Sequence, residues 1–173
     1  VLDVHYPLFK RFIAWTRLVK IWAALRSDDT EGLNPQDLRL TDVGLEGVLE
    51  RSKTSGPGRR VRYLPFFVSR GAFLAHPTWL QCGYDLGKVG PLAYPRDCLV
   101  PIAGSAFEDV VQKMARYQDR AMYGRALLVD LAPAIEVGIP HPYLSAYPRA
   151  AAYWTEHSER NFLPTVAAAL GYD

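Results

Sequence analysis

Apolar residues recur near the start of the chain at Phe9, Phe12, Ile13, Leu18, Ile21, Trp22 and Leu25, mostly three or four apart, with Lys10, Arg11, Arg17 and Lys20 between them. A 3.6-residue turn gathers such positions on one face, so the pattern predicts an amphipathic helix over 9–25, packed on a core. Asp28, Asp29 and Asn34-Pro35 mark its end and a following turn. Residues 45–50 and 60–67 are short, rich in aliphatic and aromatic side chains, and separated by Thr54-Ser55-Gly56-Pro57-Gly58, which predicts a β-hairpin with a long glycine-containing loop. The pattern turns helical again over 71–86, with Pro77 as a break or a new start. Two punctuated loops follow, around Gly87-Lys88-Val89-Gly90-Pro91 and Tyr94-Pro95-Arg96, then a brief extended piece at Leu99-Val100-Pro101. Helices are predicted over 106–117, behind Ser105 as N-cap, and over 120–131. A proline- and tyrosine-containing connection over 140–148 leads to a last helix over 156–170. The expected fold is mainly α with a small antiparallel β-sheet (α+β), without internal repeats.

Composition narrows this picture. The chain has 173 residues, 49% hydrophobic and 22% charged, which suits one folded domain with its own core. Its net charge is only +2, so a nucleic-acid partner requires the basic groups to be concentrated. Arg51, Lys53, Arg59, Arg60 and Arg62 are concentrated in this way, in and after the hairpin loop, and Arg outnumbers Lys across the chain. Arg is the better bidentate phosphate ligand, and Arg51, Arg59, Arg60 and Arg62 are the expected contacts if the partner is a nucleic acid. Cys82 and Cys98 make neither a disulfide framework nor a zinc-ligand pattern, so no metal is expected and a reducing, intracellular compartment is. No apolar run is long enough to span a bilayer and the N-terminus lacks a signal-peptide pattern, so no membrane partner is expected.

The candidate chemistry lies in four residues. His157 and Arg160 stand three apart at the start of the last predicted helix, so they share a face and can reach one phosphate. Arg26 ends the first apolar run, and Lys53 sits in the hairpin loop. Attack on a phosphodiester builds negative charge on the non-bridging oxygens, a task for two fixed cations, Arg26 and Arg160. The leaving 5′ oxygen needs a proton, which Lys53 on its hairpin is placed to give. His157 would bond a phosphate oxygen or take the nucleophile's proton. Each residue taken alone has a plainer reading: Arg26 as an ion-pair partner of Asp28 or Asp29, Lys53 as solvated surface, His157 as a helix cap.

In chain order these groups resemble the catalytic set of the tyrosine recombinase (phage integrase-like) family. Ala24-Leu25-Arg26-Ser27-Asp28-Asp29 resembles that family's first box, with Asp29 in the acidic place three after the Arg, where it implies a supporting role in orienting the Arg or its backbone. Arg51-Ser52-Lys53-Thr54-Ser55-Gly56, followed by Leu64-Pro65, resembles its hairpin lysine element, and Trp154-Thr155-Glu156-His157-Ser158-Glu159-Arg160 with Ala169-Leu170-Gly171 its second box. The wording is closest to recombinases of eukaryotic mobile elements, which implies a nuclear location if the source is eukaryotic. The resemblance implies site-specific DNA recombination and integration: strand cleavage through a 3′-phosphotyrosyl intermediate, exchange and rejoining by protomers paired on DNA, with no cofactor. It also implies a nucleophilic tyrosine well beyond the second box. Tyr172 lies too close to Arg160 to match it, so residues 1–173 are expected to be one catalytic-domain fragment without that tyrosine segment and without the family's N-terminal core-binding domain. Three other readings compete: a type IB topoisomerase, which shares the Arg-Lys-Arg-His set; a recombinase-derived DNA-binding module that no longer cleaves; and an α-rich interaction domain in which the four residues never meet.

Overall fold

The first helix, α1, runs Leu8–Trp22, and what it buries explains most of the fold. The computed structural model describes residues 1–31, 33–50, 58, 63–72, 76–136, 155 and 161–171. Phe9, Phe12, Ile13, Trp15 and Val19 are all at most 2% exposed, so the buried face is rotated from the predicted one. Leu18, Ile21 and Trp22 are only half-buried, while Lys20, predicted on the polar face, is buried. The lysine stays inside because its ammonium donates to Ser27 Oγ at 3.0 Å and its alkyl stem packs like an apolar chain.

After α1 the chain reverses through Ala24, whose φ of +51° lies in the left-handed region. The Leu25 N–H donates to Lys20 O and the Ala24 N–H to Ile21 O, the paired bonds that close a helix C-terminus. Glycine usually takes this position, and Ala there costs about 1 kcal/mol. A short helix, α2, then spans Ser27–Glu31.

A 3-10 turn at Pro35–Asp37 leads into a three-stranded antiparallel sheet in the order β1 (Arg39–Leu40), β2 (Gly44–Leu49) and β3 (Leu64–Ser69). The expected hairpin is β2–β3, in register from Gly44↔Ser69 to Leu49↔Leu64, and β1 is an addition that the short run Arg39–Leu40 gave no pattern to reveal. Leu45, Leu49 and Val68 face the core. Helix α3 (Trp79–Leu86) starts after Pro77, so the helical pattern expected from 71 is shorter than its apolar run.

The largest correction concerns residues 106–117, expected as a helix. Ala106 and Phe107 have φ of +50° and +62°, two successive left-handed residues that no α-helix contains, and Ser105 opens a 3-10 turn in place of capping a helix. The turn reverses the chain so that β5 (Val110–Met114) pairs antiparallel with β4 (Pro101–Ala103), a two-stranded ribbon. Val110 and Val111 are β-branched and favour that strand. Helix α4 runs Tyr117–Glu136, longer than expected, and α5 covers Phe162–Ala169 within the last predicted helix.

The described residues therefore form a mixed α and β fold with small antiparallel sheets, in which α1 packs on α3 and α4. Tyr123 of α4 joins the layers: its ring meets Phe9 edge-on at 6.0 Å and Phe107 at 5.5 Å, and its hydroxyl accepts the Ala103 N–H of β4 at 2.6 Å. No helix among the described residues is long and apolar enough to cross a membrane.

Candidate functional site

The α1–α2 corner carries Arg26, the first of the four candidate groups. Leu25 is buried beneath it, 5% exposed, and Arg26 itself is half-buried directly ahead of α2. Asp29, 8% exposed, turns back and accepts the Arg26 backbone N–H on Oδ2 at 2.8 Å. An acidic side chain in the first turn reaching back to the residue ahead of the helix is half of a capping box, favoured also by the helix dipole. The carboxylate thus holds the backbone of Arg26 and leaves the guanidinium alone. Among the described residues the guanidinium has neither a hydrogen-bond nor an ion-pair partner, so the plain reading of Arg26 as an ion-pair partner of Asp28 or Asp29 is not what this corner displays.

The corner is fastened from two sides by residues that the sequence pattern did not single out. Arg120 of α4, only 6% exposed, donates from Nη1 to Ser27 O at 2.8 Å and to Thr30 Oγ1 at 2.7 Å, and from Nη2 to the Glu31 carboxylate at 2.5 Å. Thr30 Oγ1 in turn donates to Ser27 O at 2.7 Å. From α1, Lys20 holds Ser27 Oγ, and the Arg17 guanidinium donates to Arg120 O at 3.2 Å. A five-residue helix has too few internal bonds to stand alone, so these bonds, with the Asp29 cap, fix where Arg26 leaves the chain. The available signal was Arg120 itself, a charged residue near the start of a predicted helix, but its partners lie about ninety positions upstream. Nothing local announces that contact.

Lys53, Arg51, Arg59, Arg60 and Arg62 lie outside the described residues, as do His157, Arg160 and Tyr172. Chain order still locates the first five in the connection between β2 and β3, whose facing ends Leu49 and Leu64 are paired. Arg160 precedes Asn161, the residue at the N-terminus of α5. The structure thus brings together Arg26 and Asp29, and pairs the two strands between which Lys53 falls in the chain. Among the described residues no three His, Cys, Asp or Glu side chains are grouped to hold a metal ion.

Comparison of the chain with protein-family models, with curated proteins and with solved structures finds no significant match in any of the three.

Proposed function

We propose that this chain is the catalytic domain of a DNA strand-cleaving and rejoining enzyme of the tyrosine recombinase type, acting on double-stranded DNA. The observation that carries this reading is the Arg26 corner: a guanidinium with no carboxylate on it among the described residues, on a backbone pinned by Asp29 and by the bonds of Arg120 and Lys20 to α2. A cation carried on a backbone held in this way, with no carboxylate on it among the described residues, is suited to a phosphate whose charge grows in the transition state. The paired β2–β3 hairpin supports the same reading, because Lys53 falls by chain order in the connection between its two strands, where it would be the general acid for the leaving 5′ oxygen. Arg160 would be the second cation, and His157 the group beside the phosphate. The basic residues Arg51, Arg59, Arg60 and Arg62 would track the backbone of the duplex.

Duplex binding measured against salt tests the DNA partner. Phosphate contacts release counterions, so the binding constant should fall steeply as salt rises, with a slope of about −0.9 for each phosphate neutralised. Arg26→Ala should reduce that slope by about one unit and weaken binding alike on unrelated sequences. Binding indifferent to salt would sink every DNA reading of the chain.

A further inference from the structure

The β4–β5 ribbon has one covered edge and one open edge. The Gly104 N–H donates to Asp109 O, and Ile102 lies opposite Val111 in the same register, so Asp109 and Val111 spend their main-chain groups on β4. Bonded and non-bonded pairs alternate in an antiparallel ladder, which turns the N–H and C=O of Val110 away from β4. A register shift between Pro101 and Ile102 interrupts the ladder, but beyond it the Ala115 N–H donates to Val100 O, so Met114, opposite Pro101, is turned outward again. The outward group on β4, the Ala103 N–H, is taken by the Tyr123 hydroxyl, which closes that edge. On the other side no strand pairs with β5 among the described residues, and residues 111–114 are all exposed. Val111, Met114 and the adjoining Tyr117 are the large apolar side chains left uncovered there.

An edge with unpaired main-chain groups and apolar side chains is a template for a further strand. The order of charges along this edge selects which one. Glu108 and Asp109 stand ahead of β5, and Lys113 and Arg116 lie toward and beyond its end. All four are exposed, and none of their side chains has a hydrogen-bond or ion-pair partner among the described residues. A segment acidic at its start and basic at its end complements itself only when antiparallel, and antiparallel is what a two-fold axis between identical chains produces. Centred on Gln112, two copies of β5 set Val110 opposite Met114 and Glu108 opposite Arg116, each twice by symmetry. Outward-turned residues then oppose outward-turned residues, as bonded pairs require. Lys113, an edge lysine of the kind that usually guards against such pairing, falls opposite Val111 and diagonal to Asp109 of the second copy.

We propose that β5 is a self-association edge, joining two copies of this chain through an antiparallel β5–β5 pair with Glu108–Arg116 ion pairs at both ends. The inference uses no residue of the Arg26 corner and its test is run without DNA, so its failure and the failure of the DNA reading are distinguishable. Sedimentation of the full chain at low salt should show a monomer–dimer equilibrium with a dissociation constant of about 100 µM or tighter, weak because a single short strand covers little surface. Backbone amide exchange at Val110 and Met114 should slow as the protein concentration rises. Glu108→Arg and Arg116→Glu each set like charges against one another at both ends, and each should weaken association about tenfold or more. Mixed in equal amounts, the two variants present opposite charges at both ends and should associate with each other as the wild type does with itself. The chain carrying both changes, with the wild type's net charge, should recover its self-association. Both positions are exposed, so melting temperatures level with the wild type's are expected and check the fold. A wild type that stays monomeric at about 1 mM, a mixture that associates no better than either variant alone, or variants that dimerise as well as the wild type would each overturn the proposal.

Discussion

Replacing Arg120 by Met should remove about 3–5 kcal/mol of stability, read as a lower denaturant midpoint at unchanged slope. The side chain is 6% exposed and serves three acceptors on α2 at once, so its loss leaves Ser27 O, Thr30 Oγ1 and the Glu31 carboxylate short of a donor in a largely buried place. Breaking a buried ion pair from one side is the costly way to break it, because the remaining charge stays uncompensated. Adding Glu31→Leu to Arg120→Met should therefore recover part of the loss, since Glu31 is half-buried and its charge is then gone. A loss under about 1 kcal/mol for the single change would mean that Arg120 does not hold the corner, and would take away the mechanical basis for the placement of Arg26.

Trp15→Ala should be comparably severe, about 3–5 kcal/mol. Trp15 is 1% exposed, stacks on Phe12 at 5.5 Å and donates its indole N–H to Leu80 O at 3.1 Å, so it joins α1 to α3 by packing and by a hydrogen bond together. The facing position on α3 is Gly83, where an added Cβ would fall 1.9 Å from the indole Cδ1, and α3 lies this close to α1 only because that residue has no side chain. The expectation is thus for a cavity that cannot collapse, since the opposite helix has nothing to put into it. Trp15→Phe should cost much less, keeping most of the volume and losing chiefly the one hydrogen bond, about 1 kcal/mol. Equal losses for Ala and Phe, measured by chemical denaturation, would show that volume is not what Trp15 contributes.

These two residues mark the boundary of what the sequence discloses. Helical spacing from Phe9 onward located α1, and the apolar pair of segments around a glycine-rich loop located the β2–β3 hairpin, because both are local patterns that the chain repeats within a few residues. The exact buried face of α1 was not legible, since Trp15 and Val19 were outvoted by Leu18, Ile21 and Trp22, and only the neighbours decide which set is covered. The β4–β5 ribbon was hidden by Ala106 and Phe107: neither is a residue that advertises a left-handed turn, so the run beyond Ser105 read as a helix. At the candidate site, Arg26 and Asp29 were visible because they sit three apart, and their contact through the Arg26 backbone follows from helix-start chemistry. Arg120 was not visible, because what makes it notable is burial and the company it keeps across the fold.

The most direct test of the proposed activity is a strand-cleavage assay on a nicked duplex that traps the covalent protein–DNA adduct, run on the protein in a form that carries the nucleophilic tyrosine which the proposed reading requires. The recombinase reading predicts an adduct through a 3′-phosphotyrosyl bond. Arg26→Ala and Arg160→Ala should each slow its formation about a hundred- to a thousandfold, as loss of one transition-state cation does, while most of the duplex binding remains. Adduct formation at the same rate in Arg26→Ala and the wild type would contradict it, and the cation at the α1–α2 corner would then have no part in the chemistry.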